Sequence, residues 1–138
     1  MTDHRLSRVR ASIGTTPYAV AIDAGHHHLT ADEPAKLGGQ DAGPAPFDLL
    51  LSGLGACTSI TLRMYAERKG WVLDMLDVDL VLVRGDDGDH IERTLYPRGD
   101  LDDAQRARLA DVAERTPVTL AIKSGLAINT HLGEETAQ

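Results

Sequence analysis

The sequence predicts an α+β domain with an antiparallel sheet, and three features of the chain say so. Short segments of alternating polarity, separated by turn residues, fill the first third. One long apolar stretch with a step of three or four occupies the middle. Two further strand-like runs follow, and then a second helical pattern. Strand groups separated by single long helices point to α+β rather than to an alternating parallel sheet. The 138 residues suit one domain spanning 1–138, with enough chain for a real core.

Leu6 to Ile13 alternates polar and apolar side chains, the pattern of a half-buried strand. Gly14-Thr15-Thr16-Pro17 turns the chain, Tyr18 to Ile22 makes a second strand, Asp23-Ala24-Gly25 turns again, and His27 to Ala31 makes a third. Together they predict an antiparallel meander, ended by Asp32-Glu33-Pro34. In the loop that follows, Gly38, Gly39 and Gly43 are expected to supply positive φ, while Pro44 and Pro46 fix φ and withdraw backbone donors.

From about Phe47 to Arg68 the pattern is helical, with Leu50, Leu54, Cys57, Ile60, Thr61 and Met64 recurring on one side. Gly53 and Gly55 weaken this helix by about 1 kcal/mol each against alanine, and allow close packing. Its first half (Leu49, Leu50, Leu51, Leu54, Ala56) is apolar nearly all round, which predicts burial on several sides. Arg63, Arg68 and Lys69 complement the C-terminal end, and Gly70 stops it.

Met75 to Val83 reads as a fourth strand, Gly85 to Asp89 as a turn, and Ile91 to Tyr96 as a fifth strand closed by Pro97. Asp102 and Gln105 form the two halves of a capping box for a second helix, whose face runs through Leu109, Val112, Ala113 and Thr116. Pro117 breaks or kinks that helix, and Val118 to Ile122 adds a short further turn. Leu126 to Thr130 is expected to close the sheet as a last strand, with the tail after Leu132 frayed.

Composition narrows the function. A formal charge of −7 argues against nucleic acid as a partner. The single cysteine, Cys57, excludes an internal disulfide and fits a reducing compartment. No signal pattern opens the chain, and no apolar run is expected to reach the roughly 20 residues of a membrane span, so a cytoplasmic protein without membrane contact is predicted. Cys57 itself has two readings. It is a small hydrophobe on a buried helix, or a thiol on a cleft floor whose reactivity depends on nearby positive charge and access. Spacing leaves both open.

The run from Gly38 to Gly70, GGQDAGPAPFDLLLSGLGACTSITLRMYAERKG, resembles the OsmC/Ohr family, which is linked to organic hydroperoxide reduction and osmotic stress. The likeness continues at Arg93-Thr94-Leu95, at Gly99 to Asp102, and at Ala113 to Val118. It is nearest to the less characterised OsmC-like branch with Ala-Cys-Thr and Met-Tyr-Ala. The resemblance implies an intertwined homodimer, in which two central helices pack together inside curved sheets from both subunits.

The resemblance also implies a site. In the family's reductases one cysteine attacks the peroxide and a second resolves the sulfenic acid as a disulfide. An arginine holds the first cysteine as thiolate, and a glutamate orients the arginine. Cys57 matches the attacking position. The resolving position falls on Thr116, in Thr116-Pro117-Val118, so the second thiol is absent. The glutamate position is Phe47, and Asp48 stands one step on, about 100° further round the helix. The arginine's turn reads Gly14-Thr15-Thr16-Pro17, which leaves Arg10, Arg84 and Arg93 as candidates.

Two functions follow from that partial match. One is a one-cysteine thiol peroxidase acting on a small hydroperoxide, with an external thiol as reductant. The other is a non-catalytic family member that binds a small apolar ligand or serves a structural role. No cofactor is expected. Nor is a metal, because consecutive strand residues in His26-His27-His28 point to opposite faces and match no zinc spacing, even with Asp32 and Glu33 nearby. The glycine loop lacks the phosphate-binding spacing, and Asp41 and Asp48 would repel phosphate. Arg63 and Arg68 are read as helix-end charges rather than as an anion site.

Overall fold

The computed structural model describes residues 3–134. Its elements run β1 (Val9–Ile13), β2 (Val20–Ala24), β3 (His27–Ala31), a 3-10 turn (Ala35–Leu37), α1 (Pro46–Lys69), β4 (Met75–Gly85), β5 (Gly88–Arg98), α2 (Asp103–Ala113) and α3 (Pro117–Ser124). This is an α+β architecture with antiparallel sheets, as the sequence predicts. The chain divides into two compact units. The first holds the residues up to Gly53 with Leu80–Glu92, and the second holds Leu54–Asp79 with the chain from Arg93 onward.

In the first unit, β1, β2 and β3 form the expected meander, with Val9 opposite Ala24 and Val20 opposite Ala31. The second strand begins at Val20 instead of Tyr18. The reason lies at Asp32, whose Oδ1 accepts the Tyr18 N–H at 3.3 Å and so draws that residue toward the loop. Asp32 is buried, and its carboxylate also accepts from the N–H groups of Glu33, Gln40 and Ala42. Burial works to raise its pKa, but the four backbone bonds, led by Ala42, together hold the carboxyl below its ordinary range.

The glycines of this loop work differently from expectation. Of the three, only Gly38 has a positive φ, 94°. Gly39 and Gly43 are required by crowding: a Cβ on Gly39 would lie 2.0 Å from the Glu33 carbonyl oxygen, and one on Gly43 2.0 Å from that of Thr30. The backbone here folds flat against itself.

α1 opens with Pro46 in its first turn, where a missing N–H is harmless. It closes on Gly70 at φ 70°, with Gly70 N–H bonded to Glu67 O and Trp71 N–H to Ala66 O, the paired bonds of a Schellman end. Leu54, Thr58, Leu62 and Ala66 make a single buried stripe at steps of four. Burial on several sides is not found within one chain: Phe47, Leu50, Ile60 and Met64 stay exposed. By length and composition α1 could also cross a membrane, contrary to the expectation that no stretch could. Polar residues diluted the apolar run in the sequence without lowering its average enough.

In the second unit Leu62, Leu109 and Ala113 form the core, with Tyr65, Trp71, Leu76, Leu95, Leu101 and Val112 packed round it. The capping box is present: Asp102 accepts from Gln105 N–H at 2.7 Å, and Gln105 Oε1 accepts from Asp102 N–H at 2.9 Å. Three expectations are corrected here. α2 ends at Ala113, and Thr116 is not on its face but is the N-cap of α3, with Pro117 at that helix's start. β5 passes through Pro97 to Arg98, whose carbonyl still accepts the Asp74 N–H at 2.7 Å. Residues 125–134 form no strand, because alternation alone supplies no partner edge. Of the tail expected to fray after Leu132, residues 133–134 form no helix or strand and 135–138 lie outside the described residues.

Candidate functional site

The candidate site is built wholly within the second unit, where α1, β5, the end of α2 and the start of α3 meet. α1 presents Cys57, a free and half-buried thiol. The backbone N–H of Val118, second residue of α3, points at it and donates to Sγ at 3.5 Å. First-turn N–H groups have no partner inside their own helix, so such a group is available to a thiolate.

Thr116 sets that turn. Its Oγ1 accepts the Thr119 N–H at 3.3 Å and lies 2.6 Å from Thr119 Oγ1, and both threonines are buried. The residue at the position matched to the resolving thiol is therefore a helix cap.

β5 delivers Arg93. Its side chain is only 11% exposed. Nη1 donates to Thr58 Oγ1 at 3.1 Å and to Thr119 Oγ1 at 2.9 Å, while Nη2 donates to Ala113 O at 2.8 Å and to Glu114 Oε2 at 3.3 Å. The guanidinium thus joins the residue next to Cys57 to the ends of α2 and α3. Glu114 also accepts from Lys123 Nζ at 2.7 Å. The Lys123 ammonium, and behind it the Arg93 guanidinium, hold the Glu114 carboxyl below its ordinary range against a smaller opposing effect of burial.

Of the three candidate arginines, the structure brings Arg93 to the neighbourhood of Cys57. Arg84 forms a two-pronged pair with Asp89 on the β4–β5 hairpin, and Arg10 lies on β1 opposite Asp23. Asp48 is exposed and accepts the Ala45 N–H at 3.2 Å, which caps the start of α1. Phe47 is exposed beside it. Arg63 donates to Leu73 O at 2.6 Å, a structural tie between α1 and the chain that follows it. His28 pairs with Asp23, and among the described residues no three His, Cys, Asp or Glu side chains are grouped to hold a metal ion. The N–H groups of the glycine loop, which could otherwise cradle a phosphate, already converge on Asp32.

Sequence reasoning missed Thr58, Glu114 and Thr119. Thr-Pro-x-Thr at 116–119 is a cap signature that could have marked α3 and Thr119. Nothing local marks the pairing of Arg93 with residues twenty or more positions away.

In chemical terms the site holds a thiol with one helix-terminal N–H on its sulfur and a buried guanidinium one residue away. A second thiol is absent from the chain.

Compared with known families, residues 38–131 match the OsmC family, described as OsmC-like protein. Among solved structures the fold is similar to an OsmC-like protein from Mycoplasma pneumoniae, at 19% identity and TM-score 0.74 over 86% of this chain and 88% of that one. It is similar to the organic hydroperoxide resistance protein OhrB of Bacillus subtilis, at 24% identity and TM-score 0.61 over 86% and 91%. A third is the organic hydroperoxide resistance protein OsmC from Legionella pneumophila, at 20% identity and TM-score 0.62 over 88% and 92%. Comparison with curated proteins gives no match. At these identities the structural likeness shows the fold.

Proposed function

The chain belongs to the OsmC-like protein family, and on that premise we propose that it reduces small organic hydroperoxides with Cys57 alone, using an outside thiol. The observation that carries this reading is the Val118 N–H on Cys57 Sγ, with Arg93 bonded to the adjacent Thr58. The thiolate attacks the terminal peroxide oxygen, the O–O bond breaks, and the alkoxide leaves as an alcohol on taking a proton. Cys57 becomes a sulfenic acid. One external thiol condenses with it, releasing water and leaving a mixed disulfide, and a second thiol frees Cys57 and departs as a disulfide. Such thiols are abundant in a reducing cytoplasm, where we place the reaction.

The test is direct. Native protein is treated with one equivalent of cumene hydroperoxide, and Cys57 is probed with a sulfenic-acid trap by mass spectrometry. Trapped sulfenate and thiol-dependent turnover support the reading. A Cys57 that stays reduced, and unlabelled until denatured, refutes it.

A second reading has one observation in its favour. All four bonds of Arg93 run to Thr58, Thr119, Ala113 and Glu114, and none to Cys57. On that reading the network is a frame for binding a small apolar ligand without redox chemistry. We also propose a homodimer. The exposed α1 side chains Ile60 (55%) and Met64 (52%), about one turn apart, are an apolar surface suited to a second copy. Ile60→Lys should then dissociate it, and a wild type that sediments as a folded monomer at micromolar concentration refutes the dimer.

A further inference from the structure

Thr119 stands where the Arg93 hydrogen-bond network meets the cap of the helix whose Val118 N–H reaches Cys57 Sγ. Its hydroxyl is 2.9 Å from Arg93 Nη1, 2.6 Å from Thr116 Oγ1 and 3.3 Å from Ala113 O. Its backbone N–H donates to Thr116 Oγ1. The residue is 4% exposed.

A hydroxyl has one proton and two lone pairs, and a guanidinium can only donate. Arg93 therefore takes one Thr119 lone pair. If Thr116 donates into the other, Thr119 sends its own proton to Ala113 O, and Thr116 Oγ1 stays free to accept the Thr119 N–H. Every buried group then has a partner. Reversing the pair leaves the Thr116 proton without any of these acceptors. The order Thr116 to Thr119 to Ala113 is thus the satisfied one, and it ties the guanidinium to the cap of the helix whose N–H meets the sulfur.

We propose that Thr119 is a positioning residue for Cys57, holding the Arg93 fork and the first turn of α3 in the register that supports its thiolate. The proposal rests on the reading of Cys57 as a reacting thiol. Thr119 does not touch the sulfur. Removing its hydroxyl leaves Nη1 with Thr58 alone and leaves the Thr116 proton without its acceptor, so both supports loosen together.

The experiment measures iodoacetamide alkylation of Cys57 in the native full-length chain against pH, in wild type, Thr119→Val and Thr119→Ser. Valine keeps the shape and loses the hydroxyl, whereas serine keeps the hydroxyl. Alkylation near neutral pH should slow roughly tenfold in Thr119→Val, with the profile moved to higher pH, and return toward wild type in Thr119→Ser. Should the valine variant fail to fold, Thr119→Ala against Thr119→Ser makes the same comparison. A folded variant without the hydroxyl whose profile overlays wild type overturns the proposal, even if its melting temperature falls. If the profile shifts as expected while wild type never reacts with cumene hydroperoxide, the peroxidase reading fails and the positioning role stands.

Discussion

Replacing Arg93 by methionine removes the guanidinium and keeps an unbranched apolar stem. Four acceptors lose a donor: Thr58 Oγ1, Thr119 Oγ1, Ala113 O and Glu114 Oε2. None is left wholly bare. Thr58 still bonds Leu54 O, Thr119 still pairs with Thr116 and Ala113 O, and Glu114 keeps Lys123. The loss is therefore of net hydrogen bonding rather than of orphaned groups. Three buried bonds at about 1 kcal/mol each, with little from the half-exposed Glu114 pair, give about 3 kcal/mol. Relief from burying a charge takes back part of it, which leaves a loss of about 2 kcal/mol. That is survivable for a domain whose total stability is roughly 5–15 kcal/mol. At roughly 3–4 °C per kcal/mol for a chain of this size, melting should fall by about 6–8 °C. Urea unfolding with an unchanged slope checks the figure. A shift below about 2 °C would mean that the four bonds contribute little and that this account of the network is wrong. Arg93→Lys returns the charge but not the two-sided fork, so it should recover alkylation of Cys57 more fully than it recovers stability.

Gly43→Ala places a Cβ 2.0 Å from backbone Thr30 O and should destabilise by about 3 kcal/mol in denaturant. Gly53→Ala meets nothing within 4 Å in the single chain and should stabilise by about 1 kcal/mol. Its failure to do so at high protein concentration would mark this stretch of α1 as covered by a partner. Asp32 has a depressed pKa when folded, so its contribution is present above its unfolded value near 3.9 and is lost as pH falls through the folded value. Asp32→Asn should flatten the acid limb of stability between about pH 5 and 2, and an unaltered acid limb in that variant counts against the role assigned to the carboxylate. Thr116→Cys, placed two residues before the N–H that meets Cys57 Sγ, should form an intrachain disulfide with Cys57 on mild hydroperoxide treatment, read by mass spectrometry of non-reduced peptides. Both thiols remaining reduced would show that position 116 does not match the resolving position.

What was legible in the sequence was mostly local. Asp102 and Gln105 announce a helix start because the capping bonds join residues three apart, and Gly70 announces a stop because it adopts positive φ after a basic last turn. Cys57 on the central helix could be read from spacing alone. The errors came where periodicity outran its cause. Thr116 is three residues past Ala113 and so fits the face of α2, but Pro117 fixes the start of a new helix and turns Thr116 into its cap. Leu126 to Thr130 alternates like a strand, yet a strand exists only where another edge accepts its bonds. The two crowded glycines of the loop answer to the carbonyl oxygens of Glu33 and Thr30, a constraint that composition does not reveal. Nothing in the sequence separates Arg93 from Arg10 and Arg84, because its partners lie 20 to 35 positions away. Only the folded chain can rank them.

The cap at Thr116 makes one side-chain atom responsible for two unrelated duties. Oxygen there accepts the Thr119 N–H and steadies a short helix, an effect worth about 1 kcal/mol. Sulfur at the same place, where the resemblance puts the second thiol, is a poorer acceptor but can close a bond with Cys57. If the Thr116→Cys bond forms, helix stability and self-sufficient redox chemistry compete for this single position. On the proposed peroxidase reading, oxygen at this position leaves the resolving step to a thiol from outside.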